Sequence, residues 1–426
     1  METIKARERF GSHLGLERIE LVCAALGHPE KELKCIHIAG TSGKGSVSAF
    51  LASVLQRSGL RVGLFTSPHL EEYAERFQIN GELIPAETLR AVVAQAEAAC
   101  RRVEQQHPEL GPVTEFELAT AAGFLYFHQA GVDLVVLETG LGGRLDATNV
   151  VHPLLTVITT VHLDHQDRLG NTVAAIAWEK GGIIKPGVPV ISGAKLPEAQ
   201  GVLRELARAK GAPYLSTWDL DWSPGGWDLE GGRLDFPGLG EVQIGLLGYH
   251  QVENAAIALL AIRELRELGY NLPDAAIYQG MKEVFWPGRL EVVSRQPLLI
   301  LDGAHNQEGL AALAQSLRHL QECCGVGAFT IVFGMLGNKS LELVEPLLPV
   351  ARRFVFTAAK NGRLAPMDPE RLQEYAASRG LEALAYPDAD QALAAAGSSD
   401  PVCVCGSLYL VGEIKRYLHS RSGSTA

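Results

Sequence analysis

The sequence lacks the features of a membrane protein, a disulfide-rich secreted domain and a zinc knuckle. No apolar run in its 426 residues approaches the ~20 residues of a membrane-spanning helix, and the amino-terminal METIKARERF has no apolar signal-peptide core. The seven cysteines are odd in number and include no CxxC pair, so they suggest neither a disulfide framework nor a zinc site. We therefore expect a cytoplasmic protein without a membrane partner.

Positive charge is also in short supply. The chain carries 38 Lys and Arg against 49 Asp and Glu, which gives a net charge of −11. Such a chain gains nothing from nonspecific attraction to nucleic acid or to an anionic membrane, so we expect no nucleic-acid partner. Any anionic ligand has to be held by local donors or by metal ions.

The hydrophobic pattern predicts an α/β fold. Hydrophobic residues make up 47% of the chain, whose length favours two domains. Apolar runs of strand length alternate with stretches of helical periodicity, which is typical of a parallel sheet covered on both faces. The predicted strands are 35–40, 61–66, 133–140, 154–160 and 188–192, and the predicted helices between them are 46–58, 86–106, 115–130 and 171–181.

Two interruptions divide this pattern. Residues 212–247 are rich in Gly, Pro and Trp and alternate in short pieces, which predicts a small antiparallel layer packed by its tryptophans. A helix over 250–268 is followed by FWPGR, whose Pro-Gly step predicts a domain boundary. We expect a larger α/β domain over 1–285 and a smaller Rossmann-like α/β domain over 286–426.

The stretch AGTSGKGS, residues 39–46, resembles a phosphate-binding loop but departs from the common pattern, because Gly45 separates Lys44 from Ser46. It follows a predicted strand and opens a predicted helix, where glycine-rich backbone and the helix N-terminus bind phosphate. Lys44 would face the phosphates and Ser46 could ligate magnesium. The alternative is a Gly/Ser-rich turn with a solvated lysine.

Further polar residues follow predicted strands. Glu138 ends DLVVLE, where a carboxylate could reach magnesium, although strand ends are often acidic. The GLGGRLD that follows is not a dinucleotide fingerprint, because Leu145 stands where a glycine is required. The HLDH of residues 162–165 has only half of a dinuclear-hydrolase pattern, since position 160 is Thr, so a single imidazole ligand at His165 remains as one interpretation and a structural histidine as the other.

Lys180 and the LDGAHN of residues 301–306 complete the candidate set. A lysine on a helix is usually solvated, but a deprotonated lysine near magnesium ions can take up carbon dioxide and become an anionic carbamate. Asp302, His305 and Asn306 end a strand of the second domain, where open α/β sheets bind ligands. These residues and Arg289 predict a cleft between the domains with ATP on the first.

Taken together, these segments resemble the folylpolyglutamate synthase/dihydrofolate synthase family of the Mur ligase superfamily. The matching pieces cover nearly the whole chain in family order: GTSGKGS, FTSPHL, ERFQING, TEFELAT, LETGLGGRLDATN, HLDHQDRLG, EKGGIIKPG, NAAIAL, PGRLE, LDGAHN and CGSLYLVGEI. The resemblance implies an ATP-dependent ligase that converts a substrate carboxylate into an acyl phosphate, which the amine of L-glutamate then attacks. It implies that the domain over 1–285 is a P-loop ATPase domain, and it implies ATP, L-glutamate and dihydropteroate or a reduced folate as ligands.

The resemblance also implies a role for individual residues. The ATP site would comprise Gly43, Lys44, Gly45, Ser46, Asn254, Arg289 and Asp302. The first of two Mg²⁺ ions would bind Ser46, Ser67 and Glu138, and the second would bind His165. Lys180 would be carbamylated and would act in catalysis with Lys44 and with His305, which lies beside the acyl phosphate. The pterin pocket would hold Leu14, Gly15, Phe116, Glu117, Asp146 and Ala147, with Ser407 towards the glutamate.

The chain departs from the family pattern in three places. Ser42 replaces the Asn usual in GTNGKGS, His162 stands where the family usually lacks a histidine, and Gly181 replaces a common alanine. We expect Ser42 to have a small effect and His162 not to be a metal ligand.

Two alternatives to a folate ligase remain open. A peptidoglycan amino-acid ligase would usually carry an additional domain before the phosphate loop, and a P-loop switch would not need LDGAHN or Lys180. The resemblance favours activity on both dihydropteroate and reduced folates, and we expect a monomer.

Overall fold

A computed structural model describes residues 4, 7, 15–360, 365–397 and 399–422. The helices are α1 (Glu17–Ala25), α2 (Lys44–Arg57), α3 (Ala86–Gln106), α4 (Glu115–Ala130), α5 (Gln166–Leu169), α6 (Val173–Gly181), α7 (Pro197–Ala209), α8 (Tyr249–Glu267), α9 (Asp274–Glu283), α10 (Gln307–Cys323), α11 (Pro369–Ala377), α12 (Ala389–Ala396) and α13 (Leu408–Ser422). No helix in the described part of the chain is long and apolar enough to cross a membrane.

The first sheet has eight strands, most of them parallel. They are β1 (Cys35–Ala39), β2 (Val62–Phe65), β3 (Phe77–Ile79), β4 (Glu82–Leu83), β5 (Leu134–Glu138), β6 (Leu155–Ile158), β7 (Val190–Ser192) and β8 (Tyr214–Ser216), in the order β4-β3-β2-β5-β1-β6-β7-β8. In this sheet β3 pairs antiparallel with both β2 and β4, and the other neighbouring strands pair parallel. Every residue of β5 is buried, because α2, α8 and α9 cover one face of the sheet and α1, α3 and α4 the other.

A three-stranded antiparallel layer follows, as predicted. It consists of β9 (Ser223–Asp228), β10 (Gly231–Phe236) and β11 (Gly240–Ile244). The predicted start at residue 212 was too early, because β8 pairs parallel with β7 and closes the first sheet. Trp227 is buried and stacks on His319 with ring centroids 4.4 Å apart, which agrees with a packing role, whereas Trp218 is exposed.

The second sheet has six strands. They are β12 (Glu291–Arg295), β13 (Leu298–Leu301), β14 (Phe329–Phe333), β15 (Ala351–Thr357), β16 (Glu382–Tyr386) and β17 (Val402–Cys405), in the order β12-β13-β17-β14-β15-β16. Five strands are parallel, and β12 pairs antiparallel with β13. The α/β class and the Rossmann-like second sheet are confirmed. Because all strands after β11 belong to this sheet, we propose the domain boundary between residues 285 and 286.

The carboxyl ends of the two sheets bring the polar segments together. In the first sheet β1, β2, β5 and β6 lead into the loops of residues 40–43, 66–72, 139–146 and 159–165. In the second sheet β13 and β17 lead into residues 302–306 and 406–407. Open parallel sheets bind their ligands at this edge, so the fold places the candidate residues at facing edges of two sheets.

Candidate active site

The phosphate loop runs from Gly40 to the first residues of α2. Gly43 has φ of 84°, in the left-handed region, and the helix begins at the next residue, Lys44. The Nζ of Lys44 donates to the carbonyl of Gly40 at 3.2 Å and lies 3.9 Å from a carboxylate oxygen of Glu138. This turn into a helix N-terminus leaves backbone amides and a lysine available to phosphate oxygens.

Two side chains pack closely against the glycines of this loop. A Cβ on Gly43 would lie 2.3 Å from the Oδ1 of Asn254, and one on Gly45 would lie 2.9 Å from the Nε1 of Trp286. Asn254 is held by a hydrogen bond from its Nδ2 to Gln251 at 3.0 Å. The structure therefore brings the predicted Asn254 to the loop and adds Trp286, which the sequence patterns did not single out.

Glu138 is a buried carboxylate beside the loop. It is 4% exposed and accepts a hydrogen bond from the backbone amide of Ser67 at 3.3 Å. Burial raises the pKa of Glu138 to about 7, although the nearby Lys44 opposes the rise. The Ser46 side chain is also buried, so of the three residues predicted for the first metal, Glu138 contacts both Lys44 and Ser67, and Ser46 lies two residues after Lys44 on α2.

Lys180 lies on α6. The short helix α5 separates α6 from the loop of residues 159–165. Lys180 is 3% exposed, and burial together with the ammonium of Lys44 lowers its pKa to about 7. A large part of its amine is therefore neutral at neutral pH. His165, with φ of 47° in the left-handed region, immediately precedes α5 and lines a cavity between the two sheets.

Residues of the second sheet face this edge. Both carboxylate oxygens of Asp302 are engaged, by the backbone amides of Leu290 and Ala304 at 2.8 Å each, so Asp302 fixes the turn that carries Arg289. Burial raises the pKa of Asp302, and the charge of Arg289 opposes the rise. The Nδ1 of His305 lies 2.8 Å from the carbonyl of Gly303, which can only accept, so Nδ1 carries the proton and Nε2 is an acceptor.

A cavity of about 450 Å³ lies between the two sheets and collects the predicted substrate residues. Its walls include Gly15, Phe116, Glu117, Asp146, Ala147, Ser407, Ser67, His165 and His305. Leu14, also predicted here, lies outside the described residues. A second cavity of about 530 Å³ shares Ser67 with the first and reaches Gly45, Glu138, Trp286 and Arg289.

The acidic residues of the first cavity are already hydrogen-bonded. Glu117 caps α4 through the backbone amide of Thr114 at 2.7 Å and pairs with Arg18 at 3.0 Å. Asp146 accepts from the amides of Leu141 and Thr148, at 2.8 and 3.0 Å. These contacts fix the orientation of both carboxylates, and the pKa of Asp146 is raised by burial.

Comparison with known proteins identifies the family. Residues 288–408 match the family described as Mur ligase, glutamate ligase domain. The chain is 37% identical to the dihydrofolate synthase/folylpolyglutamate synthase of Bacillus subtilis over 97% of both chains. The chain belongs to the folylpolyglutamate synthase/dihydrofolate synthase family. It is an ATP-dependent ligase that forms an amide bond with glutamate, and the alternatives of a peptidoglycan ligase and a P-loop switch are set aside.

Solved structures of this family share the architecture. The Mycobacterium tuberculosis folylpolyglutamate synthase complexed with ADP and AMPPCP has a TM-score of 0.87 at 30% identity and covers 98% of both chains. The Escherichia coli FolC in complex with DHPP and ADP has a TM-score of 0.83 at 32% identity, covering 96% of this chain and 94% of its own.

Three further residues of this folate-ligase site were not assigned to it from the sequence. Arg76 is 2% exposed, pairs with Glu115 at 3.1 Å and lines the first cavity. Lys339 lines the same cavity from the second sheet, and Trp286 packs on Gly45. Arg76 occurs in the matching segment ERFQING, and Trp286 immediately precedes the matching segment PGRLE, but only the packing distinguishes them from surface residues.

Substituting Gly43 with alanine should impair nucleotide binding. The new Cβ would displace Asn254 and would strain a residue with positive φ, at a cost of about 1–2 kcal/mol. We expect the KM for ATP to rise roughly tenfold, as steady-state ADP release would measure. The matched control is Gly201→Ala on α7, where a Cβ meets no atom within 4 Å. Equal KM values for both variants would contradict this packing argument.

Proposed function

We propose that this chain adds L-glutamate both to dihydropteroate and to the side-chain carboxylate of reduced folates, through an acyl phosphate. The observation that carries the proposal is the first cavity, which joins an aromatic and acidic wall at Phe116 and Asp146 to the polar edge of the second sheet at His305 and Ser407. A cavity of about 450 Å³ is of the size that accepts a drug-sized ligand. It shares Ser67 with the cavity that reaches the phosphate loop.

The proposed reaction has two steps. A carboxylate oxygen of the substrate attacks the γ-phosphorus of ATP, and ADP leaves. The amine nitrogen of L-glutamate then attacks the acyl carbon, and inorganic phosphate leaves with the former carboxylate oxygen. Lys44 and Arg289 bind the phosphate oxygens and offset their charge, and residues around the cavity hold the carboxylate in line.

The proton released by the amine needs an acceptor. His305 offers Nε2, because Nδ1 is held by Gly303, and partial desolvation by the surrounding protein lowers the pKa of His305, although its side chain stays exposed to solvent. His305 also lines the cavity in which the acyl carbon would lie. We therefore assign it as the base that accepts this proton.

The donor set near the phosphate loop fits magnesium. Mg²⁺ favours hard oxygen ligands and keeps several places for water and phosphate, so one carboxylate and two hydroxyls suffice on the protein side. In the described residues no cluster of three His, Cys, Asp or Glu could hold a metal ion by itself. Ser46, Ser67 and Glu138 would hold one ion and His165 a second, and these ions would offset the negative charge of the reacting phosphates.

Lys180 is proposed to be carbamylated. Its neutral amine nitrogen attacks the carbon of carbon dioxide, and the nitrogen loses one proton to give an anionic carbamate. Burial and the lowered pKa of Lys180 support this, because only an unprotonated amine reacts. The carbamate would provide oxygen atoms for the second magnesium site or for orienting His165. A cytoplasmic location and a monomeric state also remain proposals.

The test measures ADP release with ATP and magnesium. Dihydropteroate and tetrahydrofolate are added separately, each with and without L-glutamate. We expect both substrates to stimulate turnover only when glutamate is present, with mass spectrometry showing a product heavier by one glutamyl residue. Stimulation by one substrate alone would reduce the proposal to a single activity, and stimulation by neither would refute it.

A further inference from the structure

A bridge of three side chains links the phosphate loop to the second sheet. The Nε2 of His162 lies 3.0 Å from the Oγ of Ser42, and the Nδ1 of His162 lies 2.6 Å from a carboxylate oxygen of Glu308. Ser42 belongs to the phosphate loop, and Glu308 lies in the first turn of α10. The Nδ1 contact is a close approach to the carboxylate that lacks the alignment of a hydrogen bond.

The segment that carries His162 also fixes the loop. The backbone amide of Thr41 donates to the carbonyl of Thr160 at 2.8 Å, and the backbone amide of Ser42 donates to the hydroxyl of Thr160 at 3.0 Å. In return the hydroxyl of Thr159 donates to the carbonyl of Ser42 at 2.6 Å. Any shift of residues 159–162 would therefore move the phosphate loop with it.

The same segment contacts the second sheet at another point. The Nδ2 of Asn306 lies 3.4 Å from the Oδ2 of Asp164, and Asn306 caps α10 by accepting from the amide of Gly309 at 2.9 Å. His305, which lines the substrate cavity, is adjacent in sequence. The start of α10 thus contacts the loop of residues 162–165 at two positions.

We propose that His162 is a positioning residue that couples docking of the second domain to the conformation of the phosphate loop. Ser42 and His162 are two of the places where this chain departs from the family pattern, and the structure puts them in contact. A serine in place of asparagine shortens the loop side chain, and the imidazole of His162 supplies the bridge to Glu308. The inference rests on the proposed role of residues 40–46 in holding ATP phosphates.

The consequence is a thermodynamic link between nucleotide binding and domain docking. A contact that forms only in the docked state contributes to the affinity of any ligand that requires this state. The Glu308 side chain is 53% exposed, so solvent screens its charge and the effect should stay modest. Substitutions at His162 should therefore change the KM for ATP more than kcat.

The test is a double-mutant cycle on His162→Ala and Glu308→Gln. Calorimetry measures the Kd of magnesium-AMPPCP, and ADP release measures the KM for ATP and kcat. We expect each single variant to raise Kd and KM roughly three- to tenfold while kcat changes less than about twofold. The double variant should be no weaker than His162→Ala alone. Wild-type affinities in both single variants, or losses that multiply in the double variant, would overturn the proposal.

Two isosteric variants separate the ends of the bridge. Asparagine at position 162 places an amide near the Nδ1 position and keeps the contact with Glu308, whereas glutamine places one near Nε2 and keeps the contact with Ser42. We expect both His162→Asn and His162→Gln to bind nucleotide less tightly than wild type. Wild-type affinity in His162→Gln would show that Glu308 is dispensable and would also overturn the proposal.

A matched control is Glu322→Gln, an exposed glutamate further along α10, which should leave Kd, KM and kcat unchanged. Thermal melting of every variant separates lost affinity from lost folding. If the wild type showed no folate-stimulated ADP release, the proposed function would fail. The calorimetric cycle would still decide whether His162 couples Ser42 to Glu308.

Discussion

Replacing Lys180 with alanine should lower kcat/KM by roughly 10²- to 10³-fold, the range seen when a preorganised charged group is removed from an active site. Added acetate or propionate should recover part of the activity, because a short carboxylate can occupy the space of the missing carbamate. The amine is buried, so alanine leaves an enclosed space with room for such an anion.

The dependence of activity on pH and on bicarbonate tests the carbamate of Lys180 independently. The pKa of Lys180 is lowered to about 7 by burial, so its amine is mainly neutral above that pH and increasingly protonated below it. Activity should therefore fall as the pH drops through about 7, and added bicarbonate should oppose the fall. The Lys180→Ala variant assayed with acetate should not respond to bicarbonate.

Lys185→Ala is the matched control for Lys180. Burial also lowers the pKa of Lys185, but its Nζ donates to the carbonyl of Asn149 at 2.9 Å. Its loss should affect stability, and no carboxylate should rescue it. Steady-state kinetics with and without acetate, with mass spectrometry of intact protein, make the comparison. Full activity in Lys180→Ala without any carboxylate would remove Lys180 from the mechanism.

Glu138→Gln should lower activity and raise stability at the same time. Glutamine keeps an acceptor for the amide of Ser67 but removes the carboxylate proposed for magnesium. We expect kcat/KM to fall about 10³-fold and the magnesium concentration for half-maximal rate to rise, since metal ligation contributes several kcal/mol to stabilising transition-state charge.

The stability change follows from the pKa of Glu138, which burial raises from 4.5 to about 7. For an acid whose pKa is raised in the folded state, stability is highest below the unfolded pKa and is lost as pH rises through the folded value. The Glu138→Gln variant has no carboxylate to bury in its charged form. Without magnesium its free energy of unfolding should therefore exceed that of the wild type by up to about 3 kcal/mol near pH 8.

Urea unfolding at several pH values measures this difference in the free energy of unfolding. The gain of Glu138→Gln over wild type should shrink towards about pH 5, where the buried carboxyl is protonated, and magnesium should reduce it by binding the wild type. A variant that is less stable than wild type at about pH 8, or equally active, would contradict the assignment of Glu138 as a buried metal-binding carboxylate.

The larger elements of the fold were predictable because burial on both faces produces continuous apolar runs. Helices α3 and α4 have the predicted bounds, Ala86–Gln106 and Glu115–Ala130. The short β3–β4 hairpin was not predicted, because two exposed residues in β4 give no apolar pattern. The strand β8 was assigned to the wrong layer, since its three residues cannot show which sheet they join.

The candidate site was predictable to the extent that motifs carry it. Glu138, Lys180 and Asp302 occur in segments with a family pattern, and the structure brings these segments to facing sheet edges. Arg76 lies in a segment with a family pattern and Lys339 does not, but neither was assigned to the site, because their position in the cavity depends on packing between distant segments. The contact of Ser42 with His162 spans 120 residues in sequence and follows only from the adjacency of β1 and β6.

An oxygen-isotope experiment tests most directly whether the ligase forms an acyl phosphate. Dihydropteroate in which both carboxylate oxygens are a heavy isotope is incubated with ATP, magnesium and L-glutamate, and mass spectrometry measures the masses of dihydrofolate and inorganic phosphate. We expect one labelled oxygen in each inorganic phosphate formed, because the carboxylate oxygen that attacks ATP leaves with the phosphate. Unlabelled phosphate alongside dihydrofolate would contradict the acyl phosphate, and absence of dihydrofolate would contradict the glutamate ligase activity on this substrate.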